Sequence, residues 1–270
     1  MKRTILLITA IFAIVAVANA QPQFKRGKKN ERPQYALDAV GGAYDQAAVI
    51  RHKGFTLCYD QASLIPKWVA YELTDEEASA TIASRTDEFL PDPAVKGRQA
   101  DTRDYSGSGY DRGHMAAAAD MKWDIDAMRE SFYLTNICPQ NRTLNAGLWL
   151  ELEQKCRYWA KKYGRVWIVC GPMFTSGHYD PIGKNGVMVP DALFKCVCMQ
   201  VGDRWTCAAF VFPNIECGGD LTRYIFPVIS AEYLTGLSFF DALPLTPSDI
   251  QTLKISTNTT DWIIPGWTTK

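Results

Sequence analysis

The chain has 270 residues, with 29 basic and 29 acidic side chains, and 47% of it is hydrophobic. A mature chain of about 250 residues can bury a core and form one domain or two. The charge balance excludes the global positive field of many tight nucleic-acid binders, so any attraction to phosphate must be local.

Taken in order, Lys2 and Arg3 precede a mainly apolar run over 5–17 and then Ala18-Asn19-Ala20. This is the pattern of a cleaved secretory signal peptide over 1–20, and it predicts a secreted or periplasmic protein. A membrane-spanning helix needs about 20 apolar residues, so no membrane anchor is expected. Losing Lys2 and Arg3 with that segment leaves 27 basic against 29 acidic residues, a net charge of −2. Residues 21–45 carry Lys25, Arg26, Lys28, Lys29, Arg32 and Pro33 with few apolar anchors, and read as a flexible basic linker. Residues 46–270 are then expected to form a single domain.

Strands are predicted over 54–59 and 68–73, followed by a short acidic helix over 75–80. Arg85 and Phe89 precede a loop punctuated by Pro91 and Pro93. After the flexible Ser106-Gly107-Ser108-Gly109 comes the central motif, Tyr110-Asp111-Arg112-Gly113-His114-Met115. A helix is expected over 124–130, a short strand over 132–135 and a loop over 137–143. The strongest helix spans 144–163, with Lys161 and Lys162 in its last turn and Gly164 beyond it. Buried strands over 166–170, 194–200 and 205–212 precede a helix after Pro244 and a Trp-bearing tail. Strands and helices alternate without βαβ spacing, which predicts an α+β fold with a mixed, mainly antiparallel sheet and flanking helices.

Eight cysteines in an exported chain are compatible with disulfides, and Cys207 and Cys217 have the spacing to close a hairpin. Cys170 ends an apolar run and Cys156 lies on a helix, so for these two buried core thiols are an equal reading. There is no C-x-x-C pair to suggest a zinc knuckle.

The chemistry concentrates between 109 and 157. Phosphodiester hydrolysis needs a base for water, positive charge for the phosphorane-like state and stabilisation of the leaving oxygen. His114 suits the first, with an unperturbed pKa near 6.5. On a regular helix Asn145, Trp149 and Glu153 share one broad face, with Arg157 a turn beyond. An amide oxygen plus waters can hold a hard ion such as Mg²⁺, and Glu153 can orient those waters. Arg85, Arg112 and Arg157 are candidates for phosphate contacts. The blander alternatives are a core histidine, an Asn N-cap, an i,i+4 Glu–Arg pair and salt-bridged arginines. Trp149 and Trp159 read as core anchors, and His52 and His178 as structural.

The segments Tyr110-Asp111-Arg112-Gly113-His114-Met115-Ala116, Glu130-Ser131-Phe132, Asn136-Ile137-Cys138-Pro139-Gln140 and Leu144-Asn145-x-Gly147-x-Trp149-x-x-Leu152-Glu153 resemble the DNA/RNA non-specific endonucleases. That is the endonuclease G-like family of the ββα-metal superfamily. The likeness runs from about His52 to Phe240, with one departure, Ala117 where proline is common. It implies a single nuclease domain over 46–270 and a ββα-metal catalytic motif. It further implies His114 as general base, Asn145 as direct ligand of Mg²⁺ or Mn²⁺, and Glu153 as a water-orienting group. Arg85, Arg112 and Arg157 would meet phosphate, Asn136 would support the site, and products would carry 5′-phosphates. The expected substrates are DNA and RNA, and the expected state is a monomer or homodimer. Two other functions fit the residues less well: a non-catalytic nucleic-acid-binding module on the same fold, which has no need of His114, Asn145 and Glu153 together, and a small-nucleotide phosphodiesterase.

Overall fold

A computed structural model describes residues 40–177 and 179–263. The expected signal peptide, most of the basic linker, His178 and the end of the tail lie outside the described residues.

The core is a seven-stranded antiparallel sheet. Its strands are β2 (Val49–Arg51), β3 (Thr56–Asp60), β4 (Ile65–Thr74), β7 (Arg165–Met173), β8 (Ala192–Val201), β9 (Arg204–Pro213) and β10 (Ile225–Phe226). They lie in the order β10-β9-β8-β7-β4-β3-β2. Side chains alternate between two apolar layers. Leu57, Tyr71, Ile168, Val197 and Phe210 face one layer, and Cys58, Trp68, Val169, Cys196 and Ala209 face the other. Covering both faces explains why the central strands read as continuous apolar runs. The first layer is closed by the helix Leu150–Tyr163, through Leu152, Cys156 and Trp159. The second is closed by the helices Val228–Thr235 and Pro247–Ile255. No helix among the described residues is long and apolar enough to cross a membrane.

Several expectations are corrected. A strand β1, Val40–Gly42, lies inside the predicted linker and pairs with β11, Leu237–Phe239, so folded structure begins before residue 46. The predicted loop over 137–143 is largely a strand, β6 (Ile137–Asn141), paired with β5 (Tyr110–His114). The predicted strand over 132–135 instead leads into a 3₁₀ turn, Leu134–Asn136. All eight cysteines are free thiols. Cys207 and Cys217 cannot pair because they belong to opposite layers of the sheet. Cys198 faces Cys207 across β8 and β9, again without a bond.

Candidate active site

The sequence builds this site from a two-stranded ribbon and the helix that follows it. In the ribbon, His114 lies opposite Ile137 and Gly113 opposite Cys138. A Cβ on Gly113 would come within 2.2 Å of Gln140 Oε1 and 2.7 Å of its Cβ, so only glycine permits this approach. After β6, Asn141 turns the chain into a helix, its Oδ1 accepting from the Thr143 and Leu144 amides. One turn, Asn145–Trp149, is π-helical, and Gly147 departs from helical geometry at φ −110° and ψ −109°. Regular α-helix resumes over Leu150–Tyr163 and ends at Gly164 with φ 89°. The arrangement is a ββα unit.

His114 is 8% exposed and packed between two phenyl rings, with Phe132 4.8 Å and Phe89 5.4 Å from it by centroid. Each phenyl also carries an arginine, since Arg112 lies 4.4 Å over Phe89 and Arg85 5.0 Å over Phe132. Burial, then the nearby Arg85 and Arg112 charges, push the imidazole pKa down to about 3. The ring is therefore neutral at physiological pH. Its Nε2 has no hydrogen-bond partner among the described residues.

The chain behind this histidine is pinned. Trp149 Nε1 donates to the His114 carbonyl at 3.2 Å. Asn136, fully buried, receives the Ala116 amide on Oδ1 and donates Nδ2 to the Ala116 and Ser131 carbonyls at 2.9 and 2.8 Å. Trp149 and Trp159 are both buried.

On the helix, Asn145 donates Nδ2 to Asp111 Oδ2 at 3.1 Å, and Arg142 lies 3.9 Å from the other oxygen of Asp111. Glu153 sits deeper, and burial pushes its carboxyl up to about 7 against the opposing pull of Lys195. Arg157 is bound to the fully buried Asp120 at 2.6 Å, and Tyr71 donates its hydroxyl to the same carboxylate at 2.8 Å. The structure thus gathers His114, Arg85 and Arg112 around one aromatic pair, and places Glu153 and Arg157 beside Asp120. Arg157 points inward to a carboxylate, so the contact it makes here is an ion pair. Arg85 also pairs with Asp87 at 2.5 Å on the surface.

The donor set suits a hard cation. With the Asn145 nitrogen occupied by Asp111, its Oδ1 is the atom left to ligate. Among the described residues no three His, Cys, Asp or Glu side chains cluster as a closed metal cage. One neutral oxygen beside carboxylates fits an ion that keeps most of its waters, as Mg²⁺ does.

Sequence reasoning gave no role in the site to Phe89, Phe132, Asp120 or Lys195. Their spacing in the chain carries no signal, because each arrives from a different element. His52 bonds Asp92 at 2.9 Å, and Thr135 donates to that carboxylate at 2.6 Å, clamping the loop that carries Arg85 and Phe89.

The family profile described as DNA/RNA non-specific endonuclease matches residues 36–246. The chain belongs to the DNA/RNA non-specific endonuclease family. It is 39% identical over 202 residues to a protein of Xenopus laevis named "Nuclease EXOG, mitochondrial", covering 69% of this chain and 56% of that protein. With the human "Endonuclease G, mitochondrial" it shares 34% identity over 200 residues, 69% of this chain and 67% of the other. The solved EndoG/EndoGI complex superposes with a TM-score of 0.71 at 29% identity, covering 80% of this chain and 94% of that one. The match spans a little over half the length of the EXOG relatives, 56% in Xenopus laevis and 58% in the human protein.

These relatives overturn the expectation of export. The matched nucleases are named mitochondrial in frog, human and Saccharomyces cerevisiae.

Proposed function

We propose that this chain is a divalent-metal-dependent endonuclease that hydrolyses phosphodiester bonds of DNA and RNA, leaving 5′-phosphate ends. The observation that carries the reading is His114, an imidazole held between two phenyl rings that each bear an arginine.

In this reading His114 takes a proton from water, and the water oxygen forms a bond to phosphorus. The bond from phosphorus to the 3′ oxygen breaks, and that oxygen leaves with the electron pair and gains a proton from solvent. Arg112 and Arg85, fixed in direction by their stacking, contact the phosphate oxygens. Asn145 would hold Mg²⁺ or Mn²⁺ through Oδ1, and Glu153 would accept hydrogen bonds from water beside it. Such a cation supplies positive charge to the leaving oxygen. Arg157, paired with Asp120, balances the carboxylates around Glu153, and Asn136 holds the chain behind the base. Contacts of this kind read phosphate rather than base or sugar, which supports indifference between DNA and RNA.

The test is cleavage of closed circular plasmid and of RNA with Mg²⁺, with EDTA, and by His114→Ala and Asn145→Ala. Both polymers should be cut, EDTA should abolish cutting, and His114→Ala should lose about 10²–10⁴-fold in kcat. Unimpaired cutting by His114→Ala would refute the assigned base. A folded protein inert with every divalent ion would leave a nucleic-acid-binding module instead.

A further inference from the structure

Lys195 is fully buried and touches none of the groups that the proposed hydrolysis places on substrate or metal. It lies on β8 between Leu193 and Val197, so strand alternation turns it toward the layer that underlies the ββα unit. Its Nζ donates to the Met115 carbonyl at 3.1 Å. It also lies 4.5 Å over the Trp149 ring and 5.9 Å from that of Tyr71. Cys170 donates its thiol to the same Met115 carbonyl at 3.2 Å, and Trp149 bonds the carbonyl one residue earlier, that of His114. Two consecutive carbonyls at the end of β5 are therefore held by three side chains, Trp149 on His114 and Lys195 with Cys170 on Met115.

An ammonium removed from water is costly unless charge and hydrogen bonds replace the solvent. Here burial works against the charge, but the surrounding groups, the Glu153 and Asp120 carboxyls among them, outweigh it and keep the pKa above the ordinary lysine value. The groups facing this site are Tyr71 from β4, Trp149 from the π turn, Glu153, Cys156 and Arg157 from the helix, Cys170 from β7, and Asp120. An apolar side chain of the same length would fill the space without donating to Met115 or opposing the two carboxylates.

We infer that Lys195 is a positioning residue for the proposed hydrolysis. Its ammonium fixes the backbone directly behind His114 and supports the indole that holds the His114 carbonyl, and so sets the direction of the imidazole. The inference rests on the reading of His114 as the base, but its structural part stands apart from turnover.

The experiment compares wild type with Lys195→Met, first checked for folding by circular dichroism and thermal melting. It records kcat, KM for plasmid, and the imidazole Cε1–H resonances, of which the three histidines give three. His114→Ala assigns the His114 signal. In Lys195→Met, kcat should fall about 10- to 100-fold, the cost of a slightly misplaced catalytic group, with KM changed less than about twofold. The His114 resonance should move while that of His52 stays in place. A folded Lys195→Met with normal kcat and an unmoved His114 resonance would overturn the proposal. If that variant does not fold, Lys195→Arg serves, because it keeps a buried cation beside Trp149 while displacing the donor from the Met115 carbonyl. The same two readouts then decide. A moved His114 resonance in a protein that cuts no nucleic acid would refute the nuclease reading and leave the positioning role standing.

Discussion

His114 and Glu153 are shifted in opposite senses, and the signs have separate consequences. For His114 the folded pKa, about 3, lies below the ordinary 6.5. Between those values the unfolded chain binds the extra proton, so the stabilising contribution present at neutral pH is lost as pH falls through that window. The His114 resonance should accordingly stay in its neutral position down to pH 5, and a midpoint near 6.5 in the folded protein would contradict the burial described. For Glu153 the folded pKa, about 7, lies above the ordinary 4.5. Its contribution is present below 4.5 and is lost as pH rises through 7. In EDTA, Glu153→Gln should therefore be more stable than wild type at pH 8, by roughly 1–3 kcal/mol, and show little difference at pH 4.5. Denaturant melts at the two pH values measure this. With Mg²⁺ in place of EDTA, the same variant should lose activity at pH 8, where the wild-type carboxylate is ionised.

At the scale of elements, the loop bearing Arg85 and Phe89 is not free to wander. The Leu90 amide donates to the Phe132 carbonyl at 3.2 Å, the Leu134 amide donates back to the Leu90 carbonyl at 2.9 Å, and Asp92 is gripped by His52 and Thr135. His52→Phe leaves the buried Asp92 short of one partner, which should cost about 1–3 kcal/mol in a denaturant melt. Because the loop carries both a stacked arginine and the ring under Arg112, KM for nucleic acid should rise more than kcat falls. Equal effects on both would disconnect the clamp from substrate contact. The long helix and the main strands were legible in the sequence, since their apolar periods are long and unbroken. β5 and β6 were not, because Asp111, Arg112 and Gly113 are poor strand formers and Pro139 cannot donate to a ladder. Their pairing is imposed by the packing of the ββα unit. His114, Asn145 and Glu153 stand out as candidates through the motif and its family resemblance, whereas the phenyl pair and Lys195 meet only in three dimensions.

For the whole molecule, near-neutral charge restricts phosphate attraction to a few arginines. If Arg85 and Arg112 provide the main contacts, log KM for duplex DNA should change with log salt with a slope of magnitude about 2, from roughly 0.9 per neutralised phosphate. A slope several times steeper would require a wider basic track. The thiols give a second global test. Ellman titration of the denatured, unreduced protein should find all eight cysteines reactive, and dithiothreitol should leave the melting temperature unchanged. The cysteines, compatible with disulfides in an exported chain, are instead core thiols, because buried strands accept cysteine as a small apolar residue.

The π turn at Asn145–Trp149 separates two angular settings on one helix. Beyond it, the azimuth of Leu152, Cys156 and Trp159 is dictated by the sheet they seal. Before it, the azimuth of Asn145 is dictated by Asp111 on the ribbon. An α-helix advances about 100° per residue, so one surplus residue between the two stretches supplies a phase correction that no side-chain substitution can imitate. Deleting Gly147 should leave the buried stripe in place and swing Asn145 away from Asp111. Such a protein would keep its fold while its affinity for divalent ions, read by titration calorimetry, disappears.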